Sequence, residues 1–331
     1  MAQTAIDFLR YVEKKPASWG GFFDSGWSDL SRVRLQPFKA YPHNRRAVIL
    51  KPMRPPATVP SEKTLTISIV LCRSPVTELR ALIDSLIVAL SAATVAKVSC
   101  VLVDHSEDQA YTAQYQAMLG EYAACPLISI DLLVPEGNAG YGAGHNLAVA
   151  TLEGQFHLIL NPDVELPKHA IGVALDVMTA QGDLVLLAPV GFGSCQQPLY
   201  LAKAFPSVWA LALRAFAPLW LRRRSRAVTR YELRDQPSEI VRPVPLVSGC
   251  CMWVRRAVYD EIGGFDDSFF LYFEDFDLSM RMARYGAVLE HRELTITHHG
   301  GNASRKGGRH LLWFCVGAAR FFNRWGWKWL G

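Results

Sequence analysis

TISIVLCRSPVTELRALIDSLIVALS, residues 66–91, sets the fold. Its first seven residues are an apolar, β-branched run, which predicts a buried strand over 66–72. Ser74 and Pro75 follow as an N-cap and a first-turn proline. Leu79, Leu82, Ile83, Leu86 and Leu90 then recur at helical spacing. A buried strand running through a cap into an amphipathic helix is the repeating unit of an α/β fold.

The unit recurs downstream. Residues 98–103, 128–134, 156–160 and 184–190 read as strands. Residues 110–123, a segment from about Ala143, and 167–181 read as helices. The alternation predicts a mostly parallel sheet with helices on both faces, and ligands in such sheets bind beyond the carboxyl ends of the strands. Residues 199–245 interrupt the pattern, 246–300 are dense in polar motifs, and 308–330 form an aromatic, helix-like segment. Residues 1–62 show no period and close on the proline-rich KPMRPPATVP, so they read as an N-terminal extension and linker. There is no internal repeat.

Half of the 331 residues are hydrophobic and a fifth are charged, a globular composition. The net charge of +5 is too small to imply nucleic acid. Seven cysteines, with no C-x-x-C pair, read as free thiols in a reducing compartment. The N-terminus lacks a signal-peptide pattern, and no run reaches the roughly 18 apolar residues of a membrane span. A cytoplasmic protein is expected, with peripheral membrane contact open.

The chemistry-bearing residues cluster at strand ends. Asp104 follows the second strand and suits either a nucleobase or ribose contact or a turn cap. GNAGYGAGHN, residues 137–146, follows the third strand, and its glycines allow backbone to approach a ligand. A dinucleotide-binding loop would need glycine at 145, where His145 stands, and would follow the first strand rather than the third. Asn161-Pro162-Asp163 follows the fourth strand, where a carboxylate suits a hard divalent cation or a turn. GGFDDSFFLYFEDFDLSMR, residues 263–281, brings Glu274, Asp275 and Asp277 into an aromatic run. Apolar walls can tune a carboxylate toward a general base, and a helix starting at Glu274 would set Asp275 in its first turn. His298 and His299 end a strand-like run beside glycines and suit a metal, a phosphate or a purely structural role.

In this order the pieces resemble the family 2 glycosyltransferases, in particular the rhamnosyltransferase-like branch of bacterial O-antigen and cell-wall polysaccharide synthesis. The resemblance covers about residues 64–305 and is densest in VSGCCMWVRRAVYDEIGGFDDSFFLYFEDFDLSMRMARYG, residues 247–286. GNAGYGAGHN resembles that branch's N-x-G-F-G-x-G-N segment, and NPDVEL its version of the D-x-D metal motif. The resemblance implies a GT-A fold, the Rossmann-like nucleotide-diphospho-sugar transferase architecture, with a catalytic domain over 63–305 and an acceptor- or membrane-proximal insertion at 199–245. A C-terminal aromatic and basic helix would occupy 306–331.

It also implies roles. Asp104, Asn138, Gly140, Tyr141, Asn146 and Asp163 would bind a nucleotide-diphosphate sugar. Asp163, with His298 or His299, would hold Mg2+ or Mn2+. Asp275 would be the general base, with Glu274 and Asp277 completing the catalytic carboxylates by orienting acceptor or helix. The acceptor would be a lipid-linked glycan or a polysaccharide. The sequence departs from the branch at Cys72-Arg73 and at Asn161, which replaces the first acid of the metal motif. Those departures motivate one alternative, a catalytically silent nucleotide-sugar-binding protein; because the donor is implied by the resemblance alone, a family 2 transferase using another UDP, dTDP or GDP sugar is a second. Finally, residues 199–221 followed by Arg222-Arg223-Arg224, and the tryptophan- and cation-rich 311–331, suit either a bilayer interface or packing on the domain or on another subunit.

Overall fold

The structure, a computed structural model, describes residues 63–96, 98–236, 239–300 and 308–330. The extension and linker expected at 1–62 lie outside the described residues, as do Gly301 and Asn302. The first half runs β1 (Leu65–Leu71), α1 (Val76–Ser91), β2 (Val98–Asp104), α2 (Gln109–Gly120), β3 (Ile128–Leu133), α3 (Tyr141–Val149) and β4 (Phe156–Leu160). It continues through β5 (Val164–Glu165), α4 (Ala170–Ala180) and β6 (Leu184–Phe192). The residues expected to line α1 are those it buries: Leu79, Leu82, Ile83, Leu86 and Leu90. Pro75 is the residue before the helix rather than its first turn, and no side chain caps it.

The insertion contains β7 (Ala202–Lys203), α5 (Val208–Phe216), α6 (Leu219–Arg224) and α7 (Arg226–Tyr231). Then come β8 (Val241–Pro243), β9 (Leu246–Val247), β10 (Cys251–Arg255), α8 (Arg256–Glu261), α9 (Glu274–Met282), β11 (Ala287–His298) and α10 (Gly308–Trp325). The main sheet runs β3-β2-β1-β4-β10-β6-β11-β5, with β8 paired to β11. β3, β2, β1 and β4 are mutually parallel. β10, hidden in the motif-dense region, enters antiparallel between β4 and β6. Strand order turns back at β1, so the crevice opens between the ends of β1 and β4.

A polar chain crosses the core beneath this crevice. The Thr66 hydroxyl lies 2.8 Å from His157 Nδ1, and Ser68 Oγ lies 2.8 Å from His157 Nε2 and 2.6 Å from His145 Nδ1. Both histidines are fully enclosed. The chain bolts β4 and α3 to β1, so the residue that breaks the dinucleotide-loop pattern, His145, is a core anchor. Burial drives His157 down to about 3 and His145 well below its ordinary 6.5. In the unfolded chain both regain normal proton affinity, so the unfolded state takes up protons first as pH falls. This contribution is complete above about pH 6.5 and erodes below it, by about 1.4 kcal/mol per pH unit for each histidine. Urea midpoints should therefore fall between pH 7.5 and 5 in the native chain and fall less steeply in His157→Gln; equal slopes would remove the chain as the cause.

Candidate active site

The crevice is shaped by loops locked to one another. At the end of β1, Arg73 adopts a left-handed backbone (φ 53°), and its N–H donates to Ser106 Oγ at 2.8 Å. Its guanidinium donates to the Ser106 carbonyl at 3.3 Å. At the end of β2, Asp104 accepts from the Ser106 N–H at 2.8 Å and from the Thr112 hydroxyl at 2.5 Å, and it is buried. Of the two roles open to Asp104 in the sequence, the fold shows the turn.

The glycine-rich loop fits against the aromatic run. Asn138 accepts from the Gly140 N–H at 2.9 Å and reaches Cys72 Sγ at 3.7 Å. Gly140 has φ 106° and packs on the Phe270 carbonyl so closely that a β-carbon would collide with it. Tyr141 begins α3, takes the Phe270 carbonyl with its N–H, and donates its hydroxyl to the Gly249 carbonyl at 2.6 Å. Asn146, expected in the donor pocket, is committed elsewhere. Its oxygen accepts from Tyr259 Oη at 2.7 Å and the Phe265 N–H at 2.9 Å. Its nitrogen donates to the Phe265 carbonyl and Asp267, both at 2.9 Å. Asn146 thus holds the 263–267 turn in place and has no donor or acceptor left for a ligand.

Asp275 stands in the first turn of α9, as its spacing predicted. One carboxylate oxygen accepts from the Gly249 N–H at 2.8 Å and the other from the Phe276 N–H at 2.8 Å. Burial raises Asp275 to about 6 against those hydrogen bonds. Glu274 beside it is pushed well above the carboxylate range by burial and by the Asp275 charge, so ionising either member of the pair opposes ionising the other. The turn that delivers them is strained: Tyr272 and Phe273 both have φ 70°, a region bulky residues avoid at about 1–3 kcal/mol each. Helix α10 pins that turn. Phe273 packs on Phe314 and Phe321, Tyr272 Oη lies 2.9 Å from His310 Nδ1, and Gly317 lies so close to the Tyr272 carbonyl that a side chain would collide.

Asp277, grouped with the catalytic carboxylates in the sequence, belongs to this bracing. It is fully enclosed and accepts from Arg281 at 2.7 Å, Arg324 at 2.7 Å and Trp325 at 3.0 Å. Its part is to fix α10 against α9, the helix-orienting half of the expectation.

Across the crevice, Asp163 Oδ1 lies 3.1 Å from His298 Nε2. His298 is the last residue of β11, and His299, just beyond the strand, turns away, with Nε2 2.7 Å from Glu165 and Nδ1 3.0 Å from Ser194. The doubled histidine is thereby separated into one that faces Asp163 and one that does not. Gly300 presses on Asp163 Oδ2 where any β-carbon would intrude. No group of three metal-binding side chains occurs among the described residues.

The segment 248–250 joins the two halves. The Gly249 N–H binds Asp275, and the Cys250 carbonyl accepts from the Asn161 N–H at 2.9 Å, two residues before Asp163. A β-carbon on Gly249 would meet the Tyr141 ring at 3.2 Å and Asp275 Cβ at 3.3 Å, so a side chain there would press both away by a few tenths of an ångström. The sequence reading quoted Gly249 and Gly300 within their motifs but gave neither a role, since each meets its carboxylate only through the fold.

No protein-family model matches the chain. Over 243 residues it is 28% identical to an N-acetylglucosaminyl-diphospho-decaprenol L-rhamnosyltransferase of Mycobacterium tuberculosis, covering 69% of this chain and 76% of that protein. It is 22% identical over 165 residues to the low-salt glycan biosynthesis hexosyltransferase Agl10 of Haloferax volcanii, covering 45% of this chain and 44% of that one. Among solved structures, GalNAc-T7 with UDP, GalNAc and Mn2+ superposes with a TM-score of 0.52 at 14% identity, over 73% of this chain and 45% of that longer one. That likeness establishes the fold.

Asp277→Asn should lower unfolding free energy by about 2 kcal/mol, because it takes the carboxylate from Arg281 and leaves Arg324 with Asp266 alone. Urea denaturation measures this, and an unchanged midpoint would show the bracing to be idle. Fold and sequence likeness together identify the chain as a glycosyltransferase of the GT-A fold, similar to the rhamnosyltransferase-like branch of family 2.

Proposed function

We propose that the chain transfers a sugar, L-rhamnose from dTDP-L-rhamnose, from a nucleotide-diphosphate donor to a hydroxyl of a lipid-linked glycan or polysaccharide, with inversion. The observation that carries this reading is segment 248–250, with the Asp275 carboxylate on one side and the Asp163–His298 pair on the other. The mycobacterial relative, named for an L-rhamnose transfer to a diphospho-decaprenol-linked sugar, supports the donor sugar and the acceptor class. Another UDP, dTDP or GDP sugar would fit the same chemistry.

Asp275 takes the proton of the acceptor hydroxyl. The oxygen attacks the anomeric carbon as the bond to the diphosphate breaks on the opposite face, and the bonding pair leaves with the phosphate. A β-linked rhamnosyl donor then yields an α-L-rhamnoside. The reaction is a single displacement, so it needs one base and no second nucleophile. Hydrogen bonds from Gly249 and Phe276 aim the carboxylate, and a value near 6 leaves it mostly ionised at neutral pH. The raised Glu274 spares Asp275 a second adjacent charge.

Asp163 and His298 would hold Mg2+ or Mn2+. They offer a hard oxygen and an imidazole nitrogen at one point, and glycine at 300 keeps side-chain bulk off the carboxylate. Two protein ligands suit a cation completed by donor phosphates and water. When bound, it neutralises charge on the departing diphosphate.

The second part of the reading is a cytoplasmic enzyme working at the inner face of a bacterial membrane. Among the described residues no helix is long and apolar enough to cross a membrane. One face nevertheless exposes Trp209, Phe216, Leu219, Trp220, Trp329 and Leu330. Residues 328–329 are tied to α5 there, since the Val208 and Trp209 N–H groups donate to the Lys328 and Trp329 carbonyls at 2.8 and 3.1 Å. Arg222, Arg223 and Arg224 flank these aromatics. Aromatic side chains ringed by arginines suit an anionic lipid surface.

Asp275→Asn should reduce sugar transfer by about 10³-fold while a thermal shift with dTDP-rhamnose and Mn2+ survives. Retained turnover would remove Asp275 as base, and absence of both turnover and donor hydrolysis in the unsubstituted chain would favour the silent binding protein. For the membrane, the chain should co-sediment with phosphatidylglycerol vesicles and not with phosphatidylcholine ones, and Trp220→Ala with Trp329→Ala should abolish it. Equal sedimentation of the double variant would discard the surface.

A further inference from the structure

Arg324, near the end of α10, takes no part in the chemistry above, yet it grips both ends of the segment that carries Asp275. Its Nη1 donates to Asp277 Oδ1 at 2.7 Å, and its Nη2 donates to Asp266 Oδ2 at 2.5 Å. Asp277 belongs to α9, in the same first turn as Asp275, and Asp266 lies in the turn ahead of the aromatic run. One guanidinium therefore closes the span 266–277 into a loop.

Each carboxylate is fixed on its own side. Asp277 is fully enclosed, and its Oδ2 accepts from Arg281 Nε at 2.7 Å. Asp266 Oδ1 accepts from the Ser268 N–H at 2.8 Å, and its carbonyl accepts from the Phe269 N–H at 3.0 Å. The residues on either side of it, Phe265 and Asp267, are seated on Asn146 of α3. Arg324 thus ties the α3 side of the crevice to α9. Its Cζ also lies 5.9 Å from the centre of the Phe269 ring, a buried side chain inside the span.

The span needs such a tie. It starts beyond Gly263 and Gly264, with φ 74° and 66°, and passes through the left-handed Tyr272 and Phe273. Arg281 makes a second link from Asp277, to the Ile262 carbonyl at 3.1 Å, but that link stops short of the two glycines. The Arg324 bridge reaches past them. Between its ends, the Phe270 carbonyl accepts from the Tyr141 N–H at 3.0 Å, and Asp275 accepts from the Gly249 N–H at 2.8 Å. Both bonds require the span to keep its course. The Arg324 side chain is 34% exposed and that of Asp266 25%, so solvent screens this ion pair, and its worth lies in geometry more than in stability. A planar fork holds two carboxylates at once, whereas an ammonium is a single point charge.

We propose that Arg324 is a positioning residue for Asp275: a bridge from the last helix that joins the two ends of the span 266–277 and so holds the carboxylate against the Gly249 N–H. The inference rests on the reading of Asp275 as base. Arg324 touches no reacting atom and acts only through the course of that span.

Two measurements on the full chain test this. The first is amide exchange, which needs no substrate. In Arg324→Lys the Gly249 N–H should exchange at least about 10-fold faster while the amides of β1 keep their native rates. A native rate at Gly249 overturns the proposal, and so does an equal acceleration of all amides, which would mark a general loosening. The second is transfer from dTDP-rhamnose to N-acetylglucosaminyl-diphospho-decaprenol. Arg324→Lys should lower kcat by at least about 10-fold and leave the donor KM within about twofold. Asp266→Asn should do the same, since one amide oxygen cannot serve both Ser268 and Arg324. The double variant should fall no further, because either change alone opens the bridge. Native kcat or a native Gly249 exchange rate in Asp266→Asn overturns the proposal whether or not Arg324→Lys folds, and additive losses in the double variant overturn it as well. Turnover by Asp275→Asn would instead defeat the base assignment and leave the exchange result standing.

Discussion

The active site depends on one backbone hydrogen bond, from the Gly249 N–H to the carboxylate of Asp275. A backbone donor can be aimed only by fixing the strand that carries it. Segment 248–250 is fixed from three directions: by Leu201, just before β7, at Ser248, by Tyr141 at the Gly249 carbonyl, and by Asn161 at Cys250. Residues from the insertion, the glycine-rich loop and the end of β4 thus converge on three positions. Widening any of them moves Asp275 relative to Asp163.

The electrostatics follow from that packing. Enclosing two adjacent carboxylates in aromatic surroundings disfavours ionising both, and the Gly249 and Phe276 N–H donors fall on Asp275. The acid that receives the N–H bonds is the one that keeps a usable charge. Asp277 has a different fate because its ring of cations comes from side chains of α9 and α10. Three carboxylates within four residues therefore have three separate environments.

Much of this was legible in the sequence. The strand–helix alternation, the core face of α1 and the first-turn position of Asp275 all follow from periodicity and spacing, because those signals are local. What stayed hidden depends on register and on distant partners. Asn146 reads as a polar residue in a ligand loop, and only the fold shows its amide saturated by a turn more than a hundred residues away. His298 and His299 are equivalent as a pair of letters until the pairing of β11 decides which one faces inward. β10 escaped notice because its five buried residues lie inside a motif read for chemistry.

The left-handed pair Tyr272-Phe273 has a consequence for the birth of the enzyme. Nothing within the turn favours that backbone; the opposing force is supplied by α10, through Gly317 and the rings of Phe314 and Phe321. A ribosome completes every residue of the crevice before it makes that helix. The nascent chain thus carries every residue of the crevice while the loop before Asp275 still lacks its support, and that carboxylate is set in place only when the late helix docks.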